Sequence, residues 1–138
     1  MKKLLIAAAL LGFATPAFAA EDTLFADMGG QPGIDRIVEA SVDNYLADPR
    51  IKALFSESNI DRVRAEFKVQ FCQVAGGPCQ YTGHDMAAAH KGLHLTNADF
   101  NAVVEDLQDA MSKVGIGFAT QNRFLARLAP MQRDVVTK

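Results

Sequence analysis

The chain has 138 residues, 22% of them charged, with 14 Lys and Arg against 16 Asp and Glu and a formal net charge of −2. This length predicts one globular domain. Because the balance is slightly acidic and no basic patch stands out, nucleic acid is not an expected partner.

The first 19 residues have the pattern of a secretory signal peptide. Lys2 and Lys3 precede an apolar segment from residue 4 to 13, and small residues at 17 and 19 offer a cleavage site. We therefore expect residues 1–19 to be removed and a mature domain, 20–138, to be exported to the periplasm. The apolar segment is short for a membrane span and no second one follows, so we expect no span after cleavage. An uncleaved anchor is the alternative.

Apolar residues recur at helical intervals through the first half of the mature domain. A short helix from Leu24 to Met28 ends at a glycine pair, and a longer one opens at Pro32-Gly33 and ends at Asp48-Pro49. A third helix follows a capping box at Ser58–Asp61 and stops at Gly76. The residues expected to face the core are Ile34, Ile37, Val38, Val42, Tyr45 and Leu46 in the second helix, and Ile60, Val63, Phe67, Phe71 and Val74 in the third.

Two cysteines flank the end of the third helix. On one continuous helix the Cα atoms of Cys72 and Cys79 would lie about 10 Å apart, too far for a disulfide. The intervening Gly76-Gly77-Pro78 breaks the helix and lets the chain double back. Export to an oxidising compartment then favours a disulfide. The alternative is a buried thiol at 72 and an exposed one at 79.

The second half predicts three more helices. A short one runs from Asp85 to His90 and is closed by Gly92, and a capping box at Thr96–Asp99 starts the next. The last runs from about Ala119 towards Val136, with a kink at Pro130. The inward residues are expected to be Phe100, Val103, Val104, Leu107, Met111 and Val114, then Phe124, Leu125, Leu128 and Val135. No period-2 segment appears, so the predicted class is all-α.

His90 ends the short helix, which is otherwise nearly all Ala and Met. A neutral imidazole on a small apolar helix suits a metal ligand, and haem iron is one metal held by a single histidine. The alternative is a buried, hydrogen-bonded core histidine. His84 and His94 are interpreted as loop or surface residues without a metal.

Several motifs occur in a recognisable order: Gly29-Gly30, Leu46-Ala47-Asp48, Phe55, Gly76-Gly77-Pro78 with Tyr81-Thr82-Gly83, Met86 with His90, Ala98-Asp99-Phe100, and Ala129-Pro130. With these motifs in this order, the mature chain resembles a group I truncated haemoglobin of the bacterial type, from about residue 24 to 136. The resemblance implies two antiparallel helix pairs stacked two-over-two around a haem pocket.

The same resemblance implies a set of haem-binding residues. His90 would be the proximal iron ligand, with Met86 one turn before it and Phe55 against the haem face. Because the final helix has no histidine to bond the haem covalently, non-covalent haem b is expected. The remaining wall residues are expected to be Val42, Val63 and Phe67 on the distal side, and Phe100 and Val103 on the proximal side.

The distal side departs from the family pattern in this alignment. The family supplies a tyrosine on the second helix and one or two glutamines on the third, whereas the aligned positions here are Val42, Val63 and Phe67. An apolar distal pocket is therefore expected, with Tyr45 reaching at most its edge and with faster loss of O2 than in donor-bearing relatives. A basic residue that meets a haem propionate in the family aligns with Glu66, so Arg62, Arg64 and Lys91 are the substitutes considered.

Three functions fit these expectations. The first is a haem protein that binds O2, NO or CO for oxygen binding, transport or gas scavenging. The second is a haem enzyme that removes NO as a dioxygenase, or peroxide; the missing donors weaken the dioxygenase reading. The third is a haem-free helical interaction module. The oligomeric state is left open.

Overall fold

The computed structural model describes residues 21–138, so the predicted signal peptide lies outside the described residues. No strand occurs within this range, and the predicted all-α class is confirmed. None of their helices is both long and apolar enough to cross a membrane. The elements are α1 (Leu24–Asp27), α2 (Gly30–Ala47), a 3₁₀ turn (Lys52–Phe55), α3 (Ile60–Val74), α4 (Met86–Ala89), α5 (Asn97–Lys113), α6 (Phe118–Leu128), a second 3₁₀ turn (Ala129–Met131) and α7 (Gln132–Val135).

Helix α2 is the centre of the fold. It packs mainly against α5 and α3, while α6 packs against α1, α3 and α5, and the short α4 lies against α7. The predicted apolar stripes supply most of the core where these helices meet. Fully buried members of this core include Ile34, Val38, Met111 and Phe124.

Leu46 is an exception to the predicted stripe, because it is 37% exposed. At 100° per residue it lies about 120° from Ile34, at the edge of the apolar face, whereas Tyr45 lies within about 20° of it. The expectation that Leu46 faces the core is therefore wrong.

One of the two predicted capping boxes is present in the structure, and the other is not. Thr96 and Asp99 form the predicted capping box, with Thr96 Oγ1 accepting from the Asp99 amide at 3.2 Å and Asp99 Oδ2 accepting from the Thr96 amide at 2.9 Å. The box predicted from Ser58 is wrong. Helix α3 begins one residue later, and Asn59 caps it by accepting from the Arg62 amide at 3.0 Å.

The predicted kink at Pro130 is a complete interruption. Since proline has no N–H for the helical ladder, α6 ends at Leu128, Pro130 lies in the second 3₁₀ turn, and α7 follows as a separate turn. This break brings the last residues back towards α4.

The end of α3 is tied to the loop that follows. The structure joins Cys72 and Cys79 in a disulfide with a Cα–Cα distance of 5.8 Å. The chain reverses at Gly76, whose φ of +83° favours glycine, and the Gly77 amide donates to the Cys72 carbonyl at 2.8 Å. The loop therefore leaves α3 in a fixed direction towards His90.

Candidate functional site

A cavity of about 500 Å³ lies between α3, α4 and α5. Its lining is mainly apolar, and its mouth is formed by the start of α3 and the loop before α4. The apolar lining residues include Leu54, Phe55, Val63, Phe67, Phe71, Met86, Phe100, Val103, Val104, Leu107, Leu128, Met131 and Val135. Such a lining suits a large apolar ligand with a few directed polar contacts.

His90 lies in the lining at the C-terminal end of α4. Asp85 begins this short helix by accepting from the Ala88 amide at 2.7 Å, and Gly92 ends the segment with a φ of +81°. His90 Nδ1 is 2.7 Å from the Met86 carbonyl oxygen. Because a carbonyl can only accept, Nδ1 is the donor in this contact, and Nε2 is the ring nitrogen available to a metal.

The structure brings most of the predicted site residues together around the cavity. His90, Met86, Phe55, Val63, Phe67, Phe100 and Val103 all contribute to the lining. Val42 does not, because its side chain is fully buried in the core between α2 and its neighbours. The expectation that Val42 forms the distal wall is therefore wrong.

Tyr45 takes the place predicted for Val42 in the cavity wall. It is 1% exposed, its ring stacks on Phe55 with centroids 5.8 Å apart, and Phe67 meets it edge-on at 6.3 Å. Burial raises the pKa of its phenol well above the ordinary value, although the nearby Ser41 hydroxyl partly opposes this shift. The phenol is thus a neutral hydrogen-bond donor at neutral pH.

Gln70 is a second polar residue of the wall, and sequence analysis missed it. It is 8% exposed and donates from Nε2 to the Met86 sulfur at 3.2 Å, which links α3 to α4. A thioether is a weak acceptor, so this amide has hydrogen-bonding capacity to spare. The lining is thus mainly apolar, as expected, but Gln70 adds a polar side chain that the expectation of an apolar distal wall did not include.

Charged and polar side chains gather at the mouth of the cavity. Arg62 and Glu66 lie one turn apart on α3, with Arg62 Nε 3.8 Å from Glu66 Oε1. Across from them the Tyr81 hydroxyl donates to the His84 carbonyl at 2.9 Å. His84, predicted as a loop residue, is exposed and also lines this mouth.

Two of the three cations considered in the sequence point elsewhere. Arg64 is engaged by Glu39 and Asp43 of α2, at 2.6 Å each, and Lys91 is exposed beyond the lining. Among the described residues that line the cavity, Arg62 is the one Lys or Arg side chain.

Comparisons with known proteins agree with this geometry. The family model of bacterial-like globins matches residues 23–137. A group 1 truncated hemoglobin of Tetrahymena thermophila is 32% identical over 96 residues, covering 70% of this chain and 79% of that protein. The group 1 truncated hemoglobin GlbN of Mycolicibacterium paratuberculosis is 28% identical over 115 residues, covering 83% and 85%. The crystal structure of the truncated hemoglobin of Tetrahymena pyriformis in its Fe(III) form superposes with a TM-score of 0.81 at 27% identity, covering 83% of this chain and 98% of that one.

Proposed function

The chain belongs to the group 1 truncated haemoglobins, within the bacterial-like globin family, and from this membership we propose that His90 holds haem b non-covalently and that the physiological gas is O2. Haem-based binding of a diatomic gas follows from the family. The identity of the iron ligand, the type of haem attachment and the choice of gas are the finer parts of the proposal.

The proximal arrangement carries this proposal. The Met86 carbonyl lies 2.7 Å from His90 Nδ1, so this contact orients the ring and leaves Nε2 as the nitrogen available to iron. The apolar cavity beside it, of about 500 Å³, fits a flat apolar macrocycle. When haem is bound, its iron supplies an open coordination position to the gas.

The polar residues of the opposite wall favour O2 over CO. Bound O2 carries negative charge on its outer atom, so hydrogen-bond donors retain it, whereas CO gains little from them. Tyr45 and Gln70 are both buried donors in this wall. They support slow loss of O2, in contrast to the sequence expectation.

Variants of the Tetrahymena pyriformis protein support the same assignment. Its solved structures include substitutions of one tyrosine and of two glutamines that follow it by 21 and 25 residues. In this chain Tyr45 is followed at the same distances by Glu66 and Gln70. We therefore align these residues with the substituted positions.

The mouth of the cavity offers partners for the two carboxylates of haem. Arg62 is only loosely paired with Glu66 and its side chain is 68% exposed, so it is free to turn towards a haem carboxylate. A cation within hydrogen-bond reach of a carboxylate gives the stronger, charge-assisted kind of bond. His84 lies at the same mouth of the cavity, where it offers a second hydrogen-bond donor.

Non-covalent attachment is supported by where the histidines lie. A 2/2 hemoglobin of Synechococcus has been solved with covalently attached heme. In this chain all three histidines precede α5, at positions 84, 90 and 94, and the closing helices contain none. The signal-peptide pattern of residues 1–19 and the Cys72–Cys79 disulfide support export to the periplasm.

Absorption spectra of the ferric, ferrous and CO-bound protein test this proposal. We expect a Soret band in the wild type, its loss or weakening in His90→Gly, and recovery when free imidazole is added to that variant. His94→Gly serves as the matched control, because His94 is exposed and lies outside the cavity lining. An unchanged ferrous spectrum in His90→Gly would show that another residue holds the iron.

Removal of NO by the oxygen-bound protein is a second candidate function. The sequence analysis disfavoured it because no distal donor was expected, but Tyr45 and Gln70 both line the cavity and support a distal donor role. Stopped-flow mixing of the oxygen-bound protein with NO would distinguish the two. Conversion to the ferric form within the mixing time, with nitrate as product, supports the dioxygenase.

A further inference from the structure

Helix α3 presents three polar residues to the cavity at one-turn intervals. Arg62, Glu66 and Gln70 are spaced i, i+4 and i+8, so they share one face, and all three contribute to the lining. Gln70 is nearly buried, whereas the Glu66 side chain is 38% exposed. The carboxylate of Glu66 therefore lies at the mouth, one turn before the deeper amide.

The position of Glu66 is fixed by the loop that faces it. A side chain at residue 83 would collide with Glu66 Oε2 and with the Tyr81 ring, each within 2.6 Å of the Cβ position. Glycine at 83 therefore lets the loop close directly over the carboxylate. This contact keeps Glu66 beside the opening and limits how far it can swing away.

The charge of Glu66 is only partly offset by its neighbours. Arg62 Nε is 3.8 Å away, beyond hydrogen-bond distance, and the arginine side chain is 68% exposed. The second acid of the lining, Asp99, is occupied by the capping box at the start of α5. Glu66 is thus the acid of the lining whose charge faces the opening.

We propose that Glu66 makes this cavity selective for neutral ligands by repelling small inorganic anions. The inference rests on the proposed function, because it needs iron on the far side of this wall. Tyr45 and Gln70 alone are donors, and donors stabilise a bound anion as readily as they stabilise bound O2. A carboxylate at the opening acts against the anion only.

Fluoride and the diatomic gases differ in their charge as they pass Glu66. Fluoride bears a full negative charge along the whole path past Glu66, where the opening is partly shielded from water. O2, NO and CO pass the same carboxylate as neutral molecules. Bound O2 gains charge only deeper in the cavity, beside Gln70. Glu66 therefore discriminates at the entrance with little effect on the bound gas.

Titration of the ferric protein with fluoride tests this proposal. We expect Glu66→Met, which removes the charge without adding a hydrogen-bond donor, to bind fluoride roughly three- to tenfold more tightly than the wild type at low ionic strength, and the difference to shrink as salt is added. Glu66→Asp, which keeps the charge, should resemble the wild type. CO binding to the ferrous form should change by a smaller factor than fluoride binding, because CO is neutral.

Asp61→Asn is the matched control, because it removes one negative charge from the same helix at an exposed site outside the lining. It should leave fluoride affinity within about twofold of the wild type, since an exposed charge outside the lining acts through water, where the dielectric constant is high. Equal fluoride affinity in Glu66→Met and wild type, both with a normal Soret band, overturns the inference alone. A wild type without a Soret band overturns the proposed function.

Discussion

Replacing Gln70 with leucine removes one distal donor while keeping a side chain of similar length in a nearly buried position. Gln70 is 8% exposed, and its amide Nε2 donates a hydrogen bond to the Met86 sulfur at 3.2 Å. A thioether accepts weakly, so turning the amide towards bound O2 costs little. The interaction lost in Gln70→Leu is therefore close to the full value of a hydrogen bond to a charged acceptor.

That value sets the expected size of the effect. A hydrogen bond to a charged group contributes roughly 1.5–3 kcal/mol, which corresponds to about a tenfold to hundredfold faster dissociation of O2 in the leucine variant. CO dissociation should change by less than about threefold, because bound CO carries little charge for the amide to stabilise.

Stopped-flow displacement of O2 by CO measures this rate directly. Met86→Leu is the matched control, since it removes the sulfur acceptor but leaves the amide in place. Its O2 dissociation should equal that of the wild type or be slower. If Gln70→Leu released O2 at the wild-type rate, the amide would not reach the bound gas and the assignment of Gln70 as a distal donor would be wrong.

Three further predictions concern the distal phenol, the disulfide and a buried acid. Tyr45→Phe should also speed O2 dissociation, by about tenfold to a hundredfold in the same assay, and a rate equal to the wild type would show that the hydroxyl points away from the gas. Burial holds the pKa of Tyr45 above its ordinary value, so the wild-type rate should stay constant from pH 7 to about pH 10. Replacing Cys72 and Cys79 together with serine should lower the free energy of unfolding by at most about 2.5 kcal/mol in urea titrations, because the disulfide closes a short loop; a larger loss would point to packing of the sulfurs. The pKa of Asp106 is raised by burial and then by the neighbouring Asp48 carboxylate, so the wild type should lose stability as pH rises through that raised pKa. Asp106→Asn should therefore be more stable than the wild type at pH 7, and the difference should shrink as the pH falls and the Asp106 carboxyl is protonated; a variant less stable at pH 7 would contradict this reasoning.

The distal wall shows where inference from the sequence failed. Val42, Val63 and Phe67 were aligned with the family's donors, whereas the proposed alignment assigns those positions to Tyr45, Glu66 and Gln70, although Val63 and Phe67 also line the cavity. Each error is a shift of three residues. On an α-helix a shift of three nearly completes a turn, so both sets of residues satisfy the same apolar periodicity. The pattern alone could not choose between the two registers.

One signal could have resolved the register. Gln70 interrupts an otherwise apolar segment at Val69, Phe71 and Cys72, and a polar residue on a buried helix face needs a partner or a ligand. The shift at the start of α3 has a similar origin. Ser58 and Asn59 are both good caps, and which one caps depends on where the backbone turns. Thr96 and Asp99 have the same spacing as Ser58 and Asp61, so the sequence predicts a box at both positions, and the backbone conformation decides that only the Thr96 box forms.

The proximal helix owes its position to contacts with other elements more than to its own residues. Helix α4 has only four residues, far fewer than an isolated helix needs to persist in water, and none of them is buried. One side of it lies against α7. The Cys72–Cys79 disulfide and the Gln70–Met86 contact connect it to α3 at two points. The segment that presents His90 is thus held from the wall opposite it, and haem, placed between the two, would supply the remaining contacts. Haem binding and the ordering of the proximal ligand are then a single event, so haem affinity and the stability of this segment should rise and fall together.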